Sequence, residues 1–390
     1  MFPFLSDLIN YLFGTSIVLP FPMFGFMVAL AFIAAHYFFV LEMKRKEELG
    51  LLFSFNEKVV KGAKASVIEL ASNALFGFIL GFKLLEAILH YNDLAANPQT
   101  FILSARGNWL GGLLLAAILT YLKYREAEKN RLPEPKTVEE KVHPFQLVGT
   151  MTFIAAIGGI LGAKLFDMVE DLPRLIQHPI DTIMSGSGLS IYGGLIVGGG
   201  SVLYFAKKKG LKPLHVADAC MPALMMAYGI GRIGCQLSGD GDWGMPNDAP
   251  MPQWLSFLPE WMWAFDYPGN VLGIDLGGKE RSVVLDGYTY LGNAWPTPFY
   301  ETVMALIIFG ILWGFRKKIH APGVMLSLYL IFNGIERLII EQIRINPKYD
   351  VLGLQATQAE IIASVFLLLG LLGVYYFTKK YKESAMLKKR

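Results

Sequence analysis

Two arginines stand in stretches otherwise built of apolar and small residues. Arg232 lies in Gly229-Ile230-Gly231-Arg232-Ile233-Gly234-Cys235-Gln236-Leu237-Ser238-Gly239-Asp240, where the glycines leave room for a bulky head group or a close backbone. Arg337 lies in Asn333-Gly334-Ile335-Glu336-Arg337-Leu338-Ile339-Ile340-Glu341. A guanidinium stays charged and presents planar, forked donors that match a phosphate. Two of them converging would bind a phospholipid head group and offset the negative charge that grows on a departing phosphate. The structural alternatives are ion pairs, of Arg232 with Asp240 or Asp218 and of Arg337 with Glu336 or Glu341.

A third stretch, Ser185 to Gly200, is glycine-rich and opens a helix at Ser190-Ile191-Tyr192-Gly193-Gly194-Leu195. It is neither a Walker loop nor a dinucleotide fingerprint, since no GK[ST] follows and no soluble strand precedes it. Either its small residues let helices approach closely, or its first N–H groups face an anion with Tyr192 beside them. Lys83 and Glu86, like Lys164 and Asp167, are a cation and an anion three residues apart on one helix face. The six histidines are scattered without ligand spacing, so no metal is expected. Cys220 and Cys235 are about 22 Å apart along one helix and cannot bridge. Cys235 reads as a buried inert thiol.

The elements that must hold these groups are membrane spans. The chain has 390 residues, 54% hydrophobic and 13% aromatic, with 17% charged against about 25% in soluble domains. Mean hydropathy is +0.43. This excludes a disulfide scaffold and a disordered chain, and a net charge of +3 gives no footprint for nucleic acid. Charge-free runs such as Leu8 to Leu41 are long enough to cross hydrocarbon, and the first has no basic leader before it. The pattern predicts nine helices near 18–41, 66–91, 101–122, 147–169, 187–206, 215–238, 297–315, 322–341 and 357–378: an all-α polytopic membrane protein. With the N-terminus outside, 25 of the 35 Lys and Arg fall on inner segments and six on outer ones, the positive-inside pattern for an odd number of spans. The four left within helices are Lys83, Lys164, Arg232 and Arg337.

Five regions follow: 1–46, a first core helix; 47–146, an inserted helix pair with its linker; 147–238, central helices with the arginine motif; 239–296, an outer cap rich in Trp and Pro whose aromatics belong at the membrane interface; and 297–390, the C-terminal helices. Shifting the chain by 81 residues aligns Gly77 with Gly158, Gly81 with Gly162, Lys83 with Lys164, Pro98 with Pro179 and Gly107 with Gly188. One residue further on, Gly111-Gly112-Leu113 meets Gly193-Gly194-Leu195. The pair at 66–122 therefore reads as a copy of 147–206. Repeats are common in transporters, which keeps an anion transporter as the competing class, although the charges cluster at the outer ends rather than lining a through-path.

In its ordered motifs the chain resembles the prolipoprotein diacylglyceryl transferases, bacterial inner-membrane enzymes that move diacylglycerol from phosphatidylglycerol to the lipobox cysteine of lipoprotein precursors. The resemblance rests on Phe24-Gly25, Gly162-Ala163-Lys164, Ser190 to Leu195, Gly231-Arg232-Ile233-Gly234 leading to Gly239-Asp240 and Trp243-Gly244, Pro296-Thr297-Pro298-Phe299-Tyr300-Glu301, and Glu336 to Glu341. It implies a seven-helix core with an exoplasmic head, in the inner membrane with the C-terminus cytoplasmic, no cofactor, and phosphatidylglycerol and a signal-peptide lipobox as partners. Arg232, Arg337, Tyr192 and Asp240 are then the catalytic set. Lys164, Gly193, Gly194, Gln236, Tyr300 and Glu341 join the two arginines in binding substrate. Asp240 stands where the family has glutamate and Cys235 where it has asparagine, while Trp295 replaces a histidine. Tyr192 replaces the histidine proposed as general base. A phenol, with a reference pKa near 10, is a poor base unless a nearby cation lowers it. The alternative is that Tyr192 positions the phosphate and the substrate thiol loses its proton to Asp240 or water.

Overall fold

The structure, a computed structural model, describes residues 1–390 apart from 97–100, 103, 185–189, 278–281, 352 and 388–390. Ser185 to Leu189 of the glycine-rich stretch, the repeat positions Pro98 and Gly188, and the cations Lys279, Arg281, Lys388, Lys389 and Arg390 lie outside the described residues.

Among the described residues, nine helices of 18 residues or more overlap the nine expected ranges: α1 (Met23–Glu48), α2 (Val67–Leu89), α3 (Trp109–Lys129), α4 (Val148–Glu170), α5 (Ile191–Lys208), α6 (Pro213–Ser238), α7 (Thr297–Phe315), α8 (Val324–Glu341) and α9 (Gln358–Leu387). Among the described residues, five are long and apolar enough to cross a membrane by themselves: α1, α2, α4 with the turn before it, α7, and α9. The other four carry glycines or charges that lower their hydropathy, and two of them hold Arg232 and Arg337. The charge-free N-terminal run is broken. Leu5–Phe13 forms its own short helix, and α1 starts only after Pro20 and Pro22, because proline and the residue before it resist helix continuation.

The centre of the bundle is α6, which packs along α1, α7 and α8 and touches α5. It buries Val216, Ala219, Ala223 and Met225 among residues such as Phe39, Met151, Leu312 and Tyr329 from its neighbours. A left-handed Gly239, with φ of 64°, ends it and turns the chain back over its own last turn.

The repeat survives in three dimensions. α4 and α5 pack with Gly162 against Gly193, where a Cβ on Gly193 would strike the Gly162 carbonyl and the Phe166 side chain. α2 and α3 repeat this with Gly81 against Gly111, where a Cβ on Gly111 would meet the Gly81 carbonyl and Leu85. The copies differ at their cations. Lys164 lies 3.4 Å from Asp167, as the spacing predicts. Lys83 instead donates to the carbonyls of Phe101 (3.1 Å) and Arg106 (2.7 Å), and Glu86 is taken by Arg106 at 2.7 Å and His90 at 3.0 Å. The α2–α3 pair leaves and rejoins the chain through antiparallel strands β1 (Phe55–Lys61) and β2 (Lys136–Val142), which pair from Phe55–Val142 to Lys61–Lys136.

Residues 239–296 enclose their own buried group, Trp243, Tyr267, Leu276, Tyr290 and Ala294, beside a hairpin of β3 (Val283–Leu285) and β4 (Tyr288–Tyr290). The aromatics expected together at an interface therefore divide. Trp243 is core, whereas Trp254 is exposed, because the segment needs an apolar centre of its own. A second hairpin, β5 (Lys348–Val351) with β6 (Leu354–Thr357), joins α8 to α9.

Candidate functional site

The ends of α6, α7 and α8 meet where the chain turns back from each. Arg232 is on the last turns of α6, Glu301 on the second turn of α7, and Arg337 and Glu341 on the last turns of α8. The loop after Gly239 returns Asp242 to Arg232, held by Thr297 Oγ1 donating to the Asp242 carbonyl at 2.6 Å. Met245 N–H donates to the Ile343 carbonyl at 2.8 Å and Gly244 N–H to Trp295 at 2.9 Å. A side chain at Gly244 would strike Ile343, Thr297 and Trp295, so glycine there lets the loop lie against the segment after α8 that carries Arg344.

Glu301 is wholly buried and is the hub. Arg232 Nε lies 3.2 Å from its Oε2, Arg337 Nη1 3.4 Å from its Oε1, and Arg344 Nη1 3.3 Å from its Oε1. Asp242 is shared in the same way, with Arg232 on Oδ2 and Arg344 on Oδ1 at 2.8 Å. Arg337 Nη2 pairs with Glu341 Oε2 at 3.0 Å, and Asn346 and Thr357 each donate to Glu341 Oε1 at 2.7 Å. The Tyr228 ring lies beneath the Arg232 guanidinium at 5.3 Å, and its hydroxyl is 3.3 Å from Glu301 Oε1 and 3.2 Å from Glu336 Oε1. Three guanidiniums are thus fixed in one place by carboxylates that could not be buried without them.

Beyond the helix ends, these charges are reflected in the acidities of the loop groups. Burial by itself would raise the Asp242 carboxyl, yet the Arg344 and Arg232 guanidiniums override it and hold it at about 2. Burial likewise disfavours the charged form of Arg344, but Asp242 and Glu301 outweigh it and raise its affinity for the proton. Asp240 goes the other way: burial, then the neighbouring Asp242, pushes its carboxyl up.

These groups close one end of a cavity of about 640 Å³. Tyr192, Arg232, Asp242, Glu336, Arg337 and Arg344 line the charged end, and Phe39, Met151, Val202 and Phe366 are among the apolar walls. A charged head and an apolar body suit an amphiphile with an anionic group.

Of the expected site residues, Arg232, Arg337 and Tyr192 come together at this cavity, and Glu341 backs Arg337. The others stand outside its lining. Gly193 and Gly194 face α4, Lys164 is beside Asp167, Gln236 accepts a hydrogen bond from Tyr267 at 3.0 Å, and Tyr300 donates to the Met262 carbonyl at 2.7 Å. The carboxylates that meet Arg232 are Asp242 and Glu301 rather than Asp240 or Asp218. Asp240 accepts from the Asp242 N–H at 3.3 Å, and Asp218 accepts from Gly323 and Leu326 at the start of α8. Sequence reasoning missed Arg344, Glu301, Asp242, Tyr228 and Glu336 as site groups. The signals were present: Arg344 is seven residues, two helical turns, beyond Arg337, and Glu301 closes a quoted motif. Cys235, Asp240 and Asp242 have potential ligand atoms within 4.8 Å of one another, but both Asp242 oxygens are engaged by arginines, so the set does not suit a cation.

A polytopic helical membrane protein with an arginine cluster at the head of a part-apolar cavity is the class that fold and site define. The chain belongs to the prolipoprotein diacylglyceryl transferase family, whose profile matches residues 109–376. That match takes in α3, which the sequence reading set apart with the inserted pair. The chain is 30% identical over 228 residues to the phosphatidylglycerol–prolipoprotein diacylglyceryl transferase of Clostridium tetani, covering 58% of this chain and 78% of that protein. It is 27% identical over 281 residues to the enzyme of the same name from Streptococcus equi subsp. zooepidemicus, covering 71% and 90%. Another relative of that name, from Staphylococcus haemolyticus, is 27% identical over 244 residues, covering 62% and 77%. Membership in a transferase family does not favour the anion-transporter alternative.

Proposed function

We propose that this protein transfers the diacylglyceryl group of phosphatidylglycerol to the cysteine thiol of a prolipoprotein lipobox, releasing glycerol phosphate. The observation that carries the reading is the convergence of Arg232, Arg337 and Arg344 at the charged end of a cavity whose walls are apolar. The phosphate sits among the three guanidiniums, the glyceryl carbon points to the thiol, and the acyl chains follow the apolar walls toward lipid. The sulfur attacks the glyceryl carbon bearing the phosphate ester. An S–C bond forms, the C–O bond breaks, and glycerol phosphate leaves with the electron pair.

Arg232 and Arg337 stabilise the charge that collects on the leaving phosphate, in a site where preorganised donors act strongly. Asp242 and Glu301 aim them, and Asp240 shapes the loop from behind. Tyr192 donates a hydrogen bond to the phosphate or glyceryl oxygens. Lys164, Gly193 and Gly194 hold α4 and α5 as the wall that carries Tyr192, while Gln236, Tyr300 and Glu341 support the cap and Arg337. In this reading nine helices cross the bacterial inner membrane with the N-terminus outside and the C-terminus cytoplasmic, 239–296 is an exoplasmic head, and 47–146 is an inserted module.

The test is to incubate the purified protein in phosphatidylglycerol vesicles with a cysteine-bearing lipobox peptide and weigh the peptide. A gain of one diacylglyceryl group is expected, and an unmodified peptide refutes the reading.

A further inference from the structure

We propose that Glu336 is the general base that takes the proton from the incoming thiol. The inference rests on the transfer reaction proposed above. Where a base is needed, this chain has a tyrosine at 192, and a phenol, with a reference pKa near 10, is a poor proton acceptor at neutral pH.

The carboxylates around the cavity are mostly committed. Glu301 is shared by three arginines. Both oxygens of Asp242 are held by Arg232 and Arg344, and a carboxyl that titrates near 2 binds protons weakly. Glu341 accepts from Asn346 and Thr357 on one oxygen and pairs with Arg337 on the other. Glu170 Oε1 accepts from Ser190 at 3.0 Å and Gln358 at 3.4 Å. Asp240 does not line the cavity.

Glu336 differs. It is 2% exposed and lines the cavity beside Arg232 and Arg337. Its Oε1 meets the Tyr228 hydroxyl at 3.2 Å, while its Oε2 is buried with no hydrogen-bond partner. A buried acceptor left unpaired in a folded protein costs free energy, which a ligand's donor would recover. The donor that the reaction brings is an S–H. The groups facing Glu336 are Tyr228 and Arg232 from α6, Glu301 from α7, and Arg337 and Tyr329 from its own helix. Tyr228 fixes one carboxylate oxygen and so directs the other. Glu336 Oε2 takes the thiol proton as the sulfur pair forms the S–C bond. The C–O pair leaves on glycerol phosphate, and the carboxylic acid then returns its proton to that phosphate or to water.

The test uses the full-length protein in phosphatidylglycerol vesicles with the lipobox peptide, assayed from pH 6 to 9.5. Glu336→Gln keeps the shape and an oxygen for Tyr228 but cannot take the proton. Its transfer rate at pH 7 should fall roughly 10²–10⁴-fold, the usual worth of a positioned base, while phosphatidylglycerol binding is retained. The deficit should shrink above pH 8.5, where solvent supplies the thiolate. Glu336→Asp keeps a carboxylate and should remain active at pH 7 beyond the glutamine variant. Equal losses in the two variants, or a Glu336→Gln rate within threefold of the parent across the range, would overturn the base assignment. Absence of product from the unmodified protein would overturn the transfer reading and this inference with it.

Discussion

Asp242→Asn removes one negative charge and almost no volume from the arginine cluster, which makes it a clean probe of how the guanidiniums are held. Asp242 meets Arg232 and Arg344, the latter at 2.8 Å, and its carboxyl is held at about 2 against an ordinary 3.8. At about 1.4 kcal/mol per pKa unit that difference is worth roughly 2.5 kcal/mol of folding free energy. The side chain is 34% exposed, so solvent screening reduces the figure to ~1–2 kcal/mol. The sign follows from linkage: a depressed carboxylate stabilises the fold fully above its unfolded pKa, near 4, and loses that contribution as pH falls toward 2. The asparagine variant should therefore unfold more easily by ~1–2 kcal/mol at pH 7, and by about half as much at pH 3. Denaturant unfolding in detergent micelles, followed by tryptophan fluorescence at the two pH values, measures it. A penalty equal at both would show that shape rather than charge is what Asp242 supplies, and the electrostatic account of the cluster would be wrong.

Glu301→Gln strips the shared counter-charge from Arg232, Arg337 and Arg344, and should cost about 3–5 kcal/mol, as breaking a buried ion pair does; thermal melting that matches the parent refutes the hub. Gly193→Val forces α5 away from Gly162 and Phe166 of α4 and should destabilise by about 1–3 kcal/mol, with Gly111→Val doing the same in the copied pair. Unfolding curves that separate the two variants sharply would break the structural equivalence of the repeats. Joining Lys61 to Lys136 by a two-residue turn excises α2 and α3 while keeping the β1–β2 register. The shortened chain should still insert and transfer, and loss of folding would show that the pair is part of the core. Arg344→Ala should weaken phosphatidylglycerol binding as well as transfer, whereas loss of transfer with unchanged binding would restrict Arg344 to holding Asp242 and Glu301.

Helix positions were legible because apolar length and flanking charge are local properties. All nine long helices among the described residues overlap the expected ranges, and the start of α1 moved because Pro20 and Pro22 outweigh hydropathy. The glycine repeat was legible for the same reason: each close approach is written in two residues. Partnership across elements was harder to read. Asp240 and Asp242 are equally plausible by spacing from Arg232, and it is the left-handed turns at Gly239 and Gly241 that return Asp242 to it. Glu301 looks like an unremarkable acid near a helix start until α6, α8 and the segment after α8 bring three arginines to it. Arg344 lies past the end of its helix, so its charge was counted as a topology signal. Lys83 and Lys164 occupy matching places in sequence, yet Lys164 lies beside the acid three residues on, whereas in the first copy Arg106 captures that acid, Glu86.

The measurement closest to the centre of this account follows a labelled oxygen. Phosphatidylglycerol carrying ¹⁸O in the ester bridge between the diacylglyceryl carbon and phosphorus is presented to the protein with the lipobox peptide, and both products are weighed. Attack of the thiol on carbon predicts a peptide heavier by one unlabelled diacylglyceryl group and all of the ¹⁸O in glycerol phosphate. An unmodified peptide, or label retained on the glyceride, would contradict it.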